Sequence, residues 1–137
     1  MINSRAKRIE GFRIAVDDGR AHSVCLDLPP DLGKDMGPTA LELGVMSFSG
    51  CVATIFTLMA KKMRVPLSDL DVMVKAEKPE DARTVTKADV EIIVKTGESK
   101  EKINRVWEKT RENCPVGILF EQAGVQVNYK LQIVDED

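Results

Sequence analysis

From Leu43 to Ala60 the chain carries no charged residue, with Glu42 immediately before this run and Lys61-Lys62 immediately after it. A stretch of that length and character is either a helix enclosed on nearly every side or a span across a bilayer. Small and polar residues decide between the two: Gly44, Ser47, Ser49, Gly50, Thr54 and Thr57 interrupt the run. Beyond Met63 the chain reads as soluble alternating strands and an amphipathic helix. The expectation is therefore a buried central helix, opened by Pro38-Thr39 and running to about Met63, with no membrane association.

The rest of the chain supplies its cover. Phe12, Ile14 and Val16 alternate with polar or small residues, Asp17-Asp18-Gly19 signals a turn, and Val24, Leu26 and Leu28 alternate after it. That pattern predicts a hairpin. Leu70 to Ala76 and Val90 to Val94 alternate in the same way around a turn at 78–81 and predict a second hairpin. Gly97 breaks the strand and Ser99 can cap a helix whose stripe is Ile103, Val106, Trp107 and Thr110. Pro115 suits the first position of a short second helix, which Gly124 ends. Val125, Val127, Tyr129, Leu131 and Ile133 then alternate in a last strand. The order β-β-α-β-β-α-β gives an α+β single domain over residues 1–137, with antiparallel sheets packed around the long helix. One sheet layer cannot bury a helix that is apolar nearly all round. A second copy of the chain can, so a homodimer with this helix at its centre is expected.

The chain has 137 residues and a formal net charge of -2, and its basic residues are scattered, which argues against a nucleic-acid partner. Met1 to Glu10 lacks the apolar core of a secretory signal. Three cysteines at irregular spacing, no C-x-x-C and a single histidine, His22, fit neither a secreted disulfide framework nor a metal site. A cytoplasmic protein with reactive or buried thiols fits better.

Two thiols stand out. Cys51 lies inside the uncharged run, in Ser49-Gly50-Cys51. Cys114 directly precedes Pro115, in Asn113-Cys114-Pro115-Val116. Together they suggest a two-cysteine redox site. A free thiol with a pKa of about 8.5 is only a few per cent ionised at neutral pH, and burial raises the value further. Cys51 on an apolar helix therefore needs help: an arginine to favour the anion, and a carboxylate to hold the guanidinium. Glu42 is a candidate for that carboxylate, although on a straight helix it lies half a turn out of phase with Cys51. Otherwise it caps the helix, where a carboxylate is favourable. Cys114, at the expected N-cap of its helix, would have its thiol pKa lowered by free amides and the dipole. Cys25 and His22 read as incidental.

Glu42-Leu43, the small and apolar residues up to Gly50-Cys51, Leu58, and Lys61-Lys62-Met63-Arg64 resemble the OsmC/Ohr family of thiol peroxidases. Asn113-Cys114-Pro115-Val116 after an amphipathic helix does too, and the order of elements matches over about residues 8 to 133. The resemblance implies an OsmC-like fold and an intertwined homodimer with active sites at the interface. It implies that Cys51 is the peroxidatic residue and Cys114 the resolving one. An organic hydroperoxide would be the substrate and an external dithiol the reductant, with no bound cofactor or metal. The family's activating arginine comes from the first strands, where Arg8, Arg13 and Arg20 are all candidates. The catalytic set is therefore Cys51, Cys114 and Glu42. The alternative is a non-catalytic protein of the same fold that binds an apolar small molecule at the dimer interface.

Overall fold

A computed structural model describes residues 1–136. The chain forms two compact units, one from Met1 to Gly44 and one from Val45 onward.

The first unit holds a three-stranded antiparallel sheet of β1 (Arg5–Glu10), β2 (Arg13–Asp17) and β3 (Ser23–Leu26), in that order. The hairpin expected from the alternation of Ile14 and Val16 with Val24 and Leu26 is the β2–β3 pair, and these residues face each other in register. Its turn closes as the Asp-Asp-Gly sequence dictates. Asp17 accepts from the Gly19 amide at 3.0 Å, and Gly19 takes a φ of +78°, which a glycine adopts without strain. β1 is an addition to the expected order. All six of its residues are exposed, so it has no buried face to write an alternation into the sequence. Beyond β3 the buried Asp27 carboxylate gathers the amides of Leu28, Lys34 and Met36. Burial pushes its pKa up, but those amides and the nearby Arg13 charge prevail and hold it below the usual carboxylate range. Gly37 lies so close to the Cys25 carbonyl that no side chain fits there.

Helix α1 (Ala40–Lys62) begins in the first unit and continues into the second. Thr39 and Glu42 start it with a reciprocal pair: the Thr39 amide donates to Glu42 Oε1 at 2.9 Å, and the Glu42 amide donates to Thr39 Oγ1 at 3.1 Å. This is the capping box that a threonine followed three residues later by a glutamate encodes.

In the second unit β4 (Asp69–Glu77), β5 (Lys87–Thr96) and β6 (Gln126–Asp135) form a sheet in that order. β4 pairs with β5 antiparallel, but β6 pairs with β5 in parallel. The expectation of purely antiparallel sheets is corrected here. Alternation marks a strand and its buried face but not its direction. The intervening helices, α2 (Lys100–Asn113) and α3 (Pro115–Gln122), make the long crossover that a parallel neighbour requires. Ser99 caps α2 as expected, accepting from the Lys102 amide.

The core lies in this unit. Phe48, Val52, Phe56 and Ala60, four residues apart along α1, pack with Val90, Ile92 and Val94 of β5 and with Ile103 and Val106 of α2. Each large side chain buried this way is worth about 1.5–3 kcal/mol. Only that stripe of α1 is buried. Leu41, Met46 and Leu58 are exposed, as is Met63 just past the helix. By length and composition α1 is apolar enough to cross a membrane, with 22% of its most apolar window buried within the chain.

Candidate functional site

The two thiols singled out in the sequence meet in the second unit. Cys51 projects from the middle of α1, one residue before Val52 of the buried stripe, and packs against the core while remaining half-buried. Cys114 joins α2 to α3 and is 4% exposed. It is the last residue with extended backbone (φ -87°, ψ 101°) before Pro115 opens α3, and its carbonyl accepts the first helical bond from Ile118 at 3.0 Å. Both cysteines are free thiols. They are close enough for Cys51 to act on Cys114 as a hydrogen-bond partner and through its charge.

The Cys114 pKa departs from the sequence expectation. The amides of Gly117 and Val116 do favour the thiolate, as the start of a helix should. Burial outweighs them, and with the neighbouring Cys51 it pushes the Cys114 thiol up to about 11. At neutral pH Cys114 keeps its proton. The helix terminus acts in the expected direction, but it loses to desolvation at a nearly closed site.

Gly117 makes the room. A methyl group on it would stand 3.3 Å from the Cys114 sulfur, 3.3 Å from Phe48 Cε1 and 3.5 Å from the Tyr129 hydroxyl. Around this point the side chains are aromatic. Phe120 of α3 stacks on Phe48 with ring centroids 4.6 Å apart, and Tyr129 of β6 meets Trp107 of α2 at 5.1 Å. The Tyr129 hydroxyl donates to Glu121 Oε1 at 3.1 Å, and the Arg111 guanidinium lies 4.7 Å from the centre of the Tyr129 ring. Burial, and then the Glu121 carboxylate, raise the Tyr129 pKa, so the phenol stays protonated and donates. Sequence reasoning places Tyr129 only as a core position of the last strand and misses Gly117, Glu121 and Arg111. The one available signal is that Tyr129 is the only tyrosine in the chain.

The remaining predicted residues lie in the first unit. Glu42 spends Oε1 on the α1 capping box. Arg8 donates from Nε to the Gly11 carbonyl at 2.9 Å, and Arg20 pairs with Asp18 at 3.5 Å on the surface. Arg13 differs from both: its Nε is buried and, among the described residues, has no hydrogen-bond partner.

The family model described as "OsmC-like protein" matches residues 33–130, a span that includes both thiols. In sequence the chain is similar to protein YhfA of Escherichia coli K12, 24% identical in an alignment 136 positions long that covers 97% of this chain and 98% of that one. In structure it is similar to the OsmC like protein from Mycoplasma pneumoniae, with a TM-score of 0.86 at 14% identity over 98% of this chain and 97% of that one. It is also similar to the organic hydroperoxide resistance protein OhrB of Bacillus subtilis, with a TM-score of 0.63 at 18% identity over 98% of each chain. The match to the family model covers well over half of the sequence, and the α+β architecture agrees with solved members: the chain belongs to the OsmC-like family.

Proposed function

We propose that the protein reduces organic hydroperoxides with its own thiols. One observation carries this reading: Cys51 and Cys114, distant in sequence, are free and interact beside an aromatic cluster. The Cys51 thiolate attacks the distal oxygen of ROOH. The O–O bond breaks, the alkoxide leaves and takes a proton as ROH, and Cys51 becomes a sulfenic acid. Cys114 then attacks the Cys51 sulfur. The S–OH bond breaks, hydroxide leaves with the Cys114 proton as water, and a disulfide remains for an external dithiol to reduce. The raised pKa of Cys114 supports this division of labour. A group that stays a thiol near neutrality does not compete for the peroxide.

A cation must favour the Cys51 anion and the departing alkoxide. Of the three arginines in the first strands, Arg13 is the first to substitute, because its buried Nε has no hydrogen-bond partner among the described residues, although its charge also acts on Asp27. Glu42 is the carboxylate proposed to hold such an arginine, beside its capping role. The exposed Met46, Leu58 and Met63 support a homodimer in which a second copy covers the open face of α1. The cytoplasm, with its reducing pool, is the proposed compartment.

Peroxide consumption tests the reading. With cumene hydroperoxide and a dithiol, the parent should turn over and Cys51→Ser should fall to background. Cys114→Ser should react once with peroxide and lose the intramolecular disulfide. A Cys51→Ser variant as fast as the parent would sink the reading in favour of an apolar-ligand binding protein.

A further inference from the structure

Cys114 is the N-cap of helix α3, whose apolar side chains Val116 and Phe120 pack against the core only half-buried. The helix is eight residues long and Gly117 is its only buried residue. A helix that short does not persist without outside contacts. Its carboxyl-terminal turn is tied down at Glu121, which accepts the Tyr129 hydroxyl of β6 at 3.1 Å and faces Arg111 of α2 at 3.9 Å. Arg111 in turn covers the Tyr129 ring at 4.7 Å. Three elements, α2, α3 and β6, therefore close on one another through three side chains at the far end of the helix that bears Cys114.

The parts of this latch differ in weight. Arg111 and Glu121 are 55% and 41% exposed, and an ion pair so open at 3.9 Å contributes little. The phenol hydrogen bond is directional and belongs to a half-buried ring. Phe120 on Phe48 and Val116 against the core also hold α3, and the Tyr129 hydrogen bond adds a directional tie to that packing. The Tyr129 hydroxyl sits 3.5 Å from where a Gly117 methyl would be, a point itself 3.3 Å from the Cys114 sulfur.

We propose that Tyr129, through its hydrogen bond to Glu121, is a positioning residue that aims Cys114 at Cys51 for disulfide formation. This rests on the two-thiol reading above. In the step it serves, the Cys114 sulfur loses its proton and bonds to the Cys51 sulfur as the S–O bond breaks, with water as the product. The sulfurs must close from a non-bonded approach to about 2.05 Å in a narrow range of torsion angles. Holding two groups at the right angle is worth several powers of ten in rate, and a helix free to roll forfeits part of it. Tyr129 touches neither the peroxide nor the O–O bond, so the first step is indifferent to it.

Tyr129→Phe keeps the ring, with its Arg111 and Trp107 contacts, and deletes only the hydroxyl. Reduced protein is mixed with one equivalent of cumene hydroperoxide, and sulfenic acid and disulfide are counted by mass spectrometry at timed quenches. The expected result is sulfenic acid formation within twofold of the parent and disulfide formation slowed about tenfold, so that the sulfenic species accumulates. Glu121→Gln, which keeps an acceptor for the phenol, should retain most of the parent's disulfide rate. A second arm oxidises the two thiols with diamide and needs no peroxidase chemistry; Tyr129→Phe should again form the disulfide more slowly. An unchanged disulfide rate overturns the proposal, as does an equal slowing of both steps together with a lowered melting temperature. If the parent gives neither sulfenic acid nor disulfide with the hydroperoxide, the hydroperoxide reading falls, and the diamide arm alone still decides on Tyr129.

Discussion

At the start of α1, Thr39 and Glu42 exchange hydrogen bonds in the open; at the start of α3, Cys114 is 4% exposed and its side chain makes no capping bond. Each start has a proline beside it, but Pro38 precedes the α1 cap whereas Pro115 is the first residue of α3 and takes one amide donor from that turn. The exposed one uses a carboxylate, which water and the helix dipole both favour. The closed one uses a sulfur, whose charge burial suppresses although the amides invite it. The lesson concerns magnitude: the pull of a helix terminus decides ionisation only where desolvation is small. The two starts also differ in state: α1 opens on reciprocal hydrogen bonds, whereas α3 opens on a thiol that keeps its proton.

The sharpest way to break this contrast is to place the better capping residue at the closed start. Cys114→Asp should destabilise the protein by about 3 kcal/mol or more, since a buried carboxylate costs more than a cap returns. Urea unfolding measures it, and a stabilised variant would refute the contrast. The pH dependence comes next. The folded thiol binds its proton more tightly than the unfolded one, so between the two pKa values the unfolded state carries fewer protons. The contribution of Cys114 is therefore fully present below the ordinary thiol pKa and is lost as pH rises toward about 11. The loss is about 1.4 kcal/mol per unit of pKa displacement. Unfolding curves from pH 8 upward should show this fall in the parent and a flatter profile in Cys114→Ala.

At the open start the effects are smaller. Thr39→Ala should cost about 1 kcal/mol of stability, the usual value of a lost cap, with peroxide consumption unchanged. Glu42→Gln keeps an oxygen for the Thr39 amide and loses only the charge, so its stability effect should be smaller still. Its peroxide rate carries the information. A rate near the parent's assigns Glu42 to capping alone, whereas a large fall gives it a second task in the site.

Much of this is legible in residues close together in the chain. The α1 helix, the Ser99 cap, Pro115 at the head of α3 and the alternating β4, β5 and β6 all come from local spacing, whereas the matched roles of two cysteines distant in sequence come from the family resemblance. Other features depend on contacts that spacing does not encode. β1 is exposed throughout and leaves no pattern. The parallel pairing of β6 depends on which way the crossover returns. The Cys114 pKa depends on burial by Phe48 and its neighbours, and the link from Tyr129 to Glu121 and Arg111 joins three elements. A helix N-terminus is visible in a sequence; how much water reaches it is not.

The central claim is that Cys51 and Cys114 form one redox couple, and a non-reducing peptide digest after one equivalent of organic hydroperoxide tests it most directly. The account predicts a Cys51–Cys114 cross-linked peptide lighter by two hydrogens, with Cys25 still a thiol. Recovery of Cys114 as a free thiol beside an over-oxidised or untouched Cys51 would contradict it.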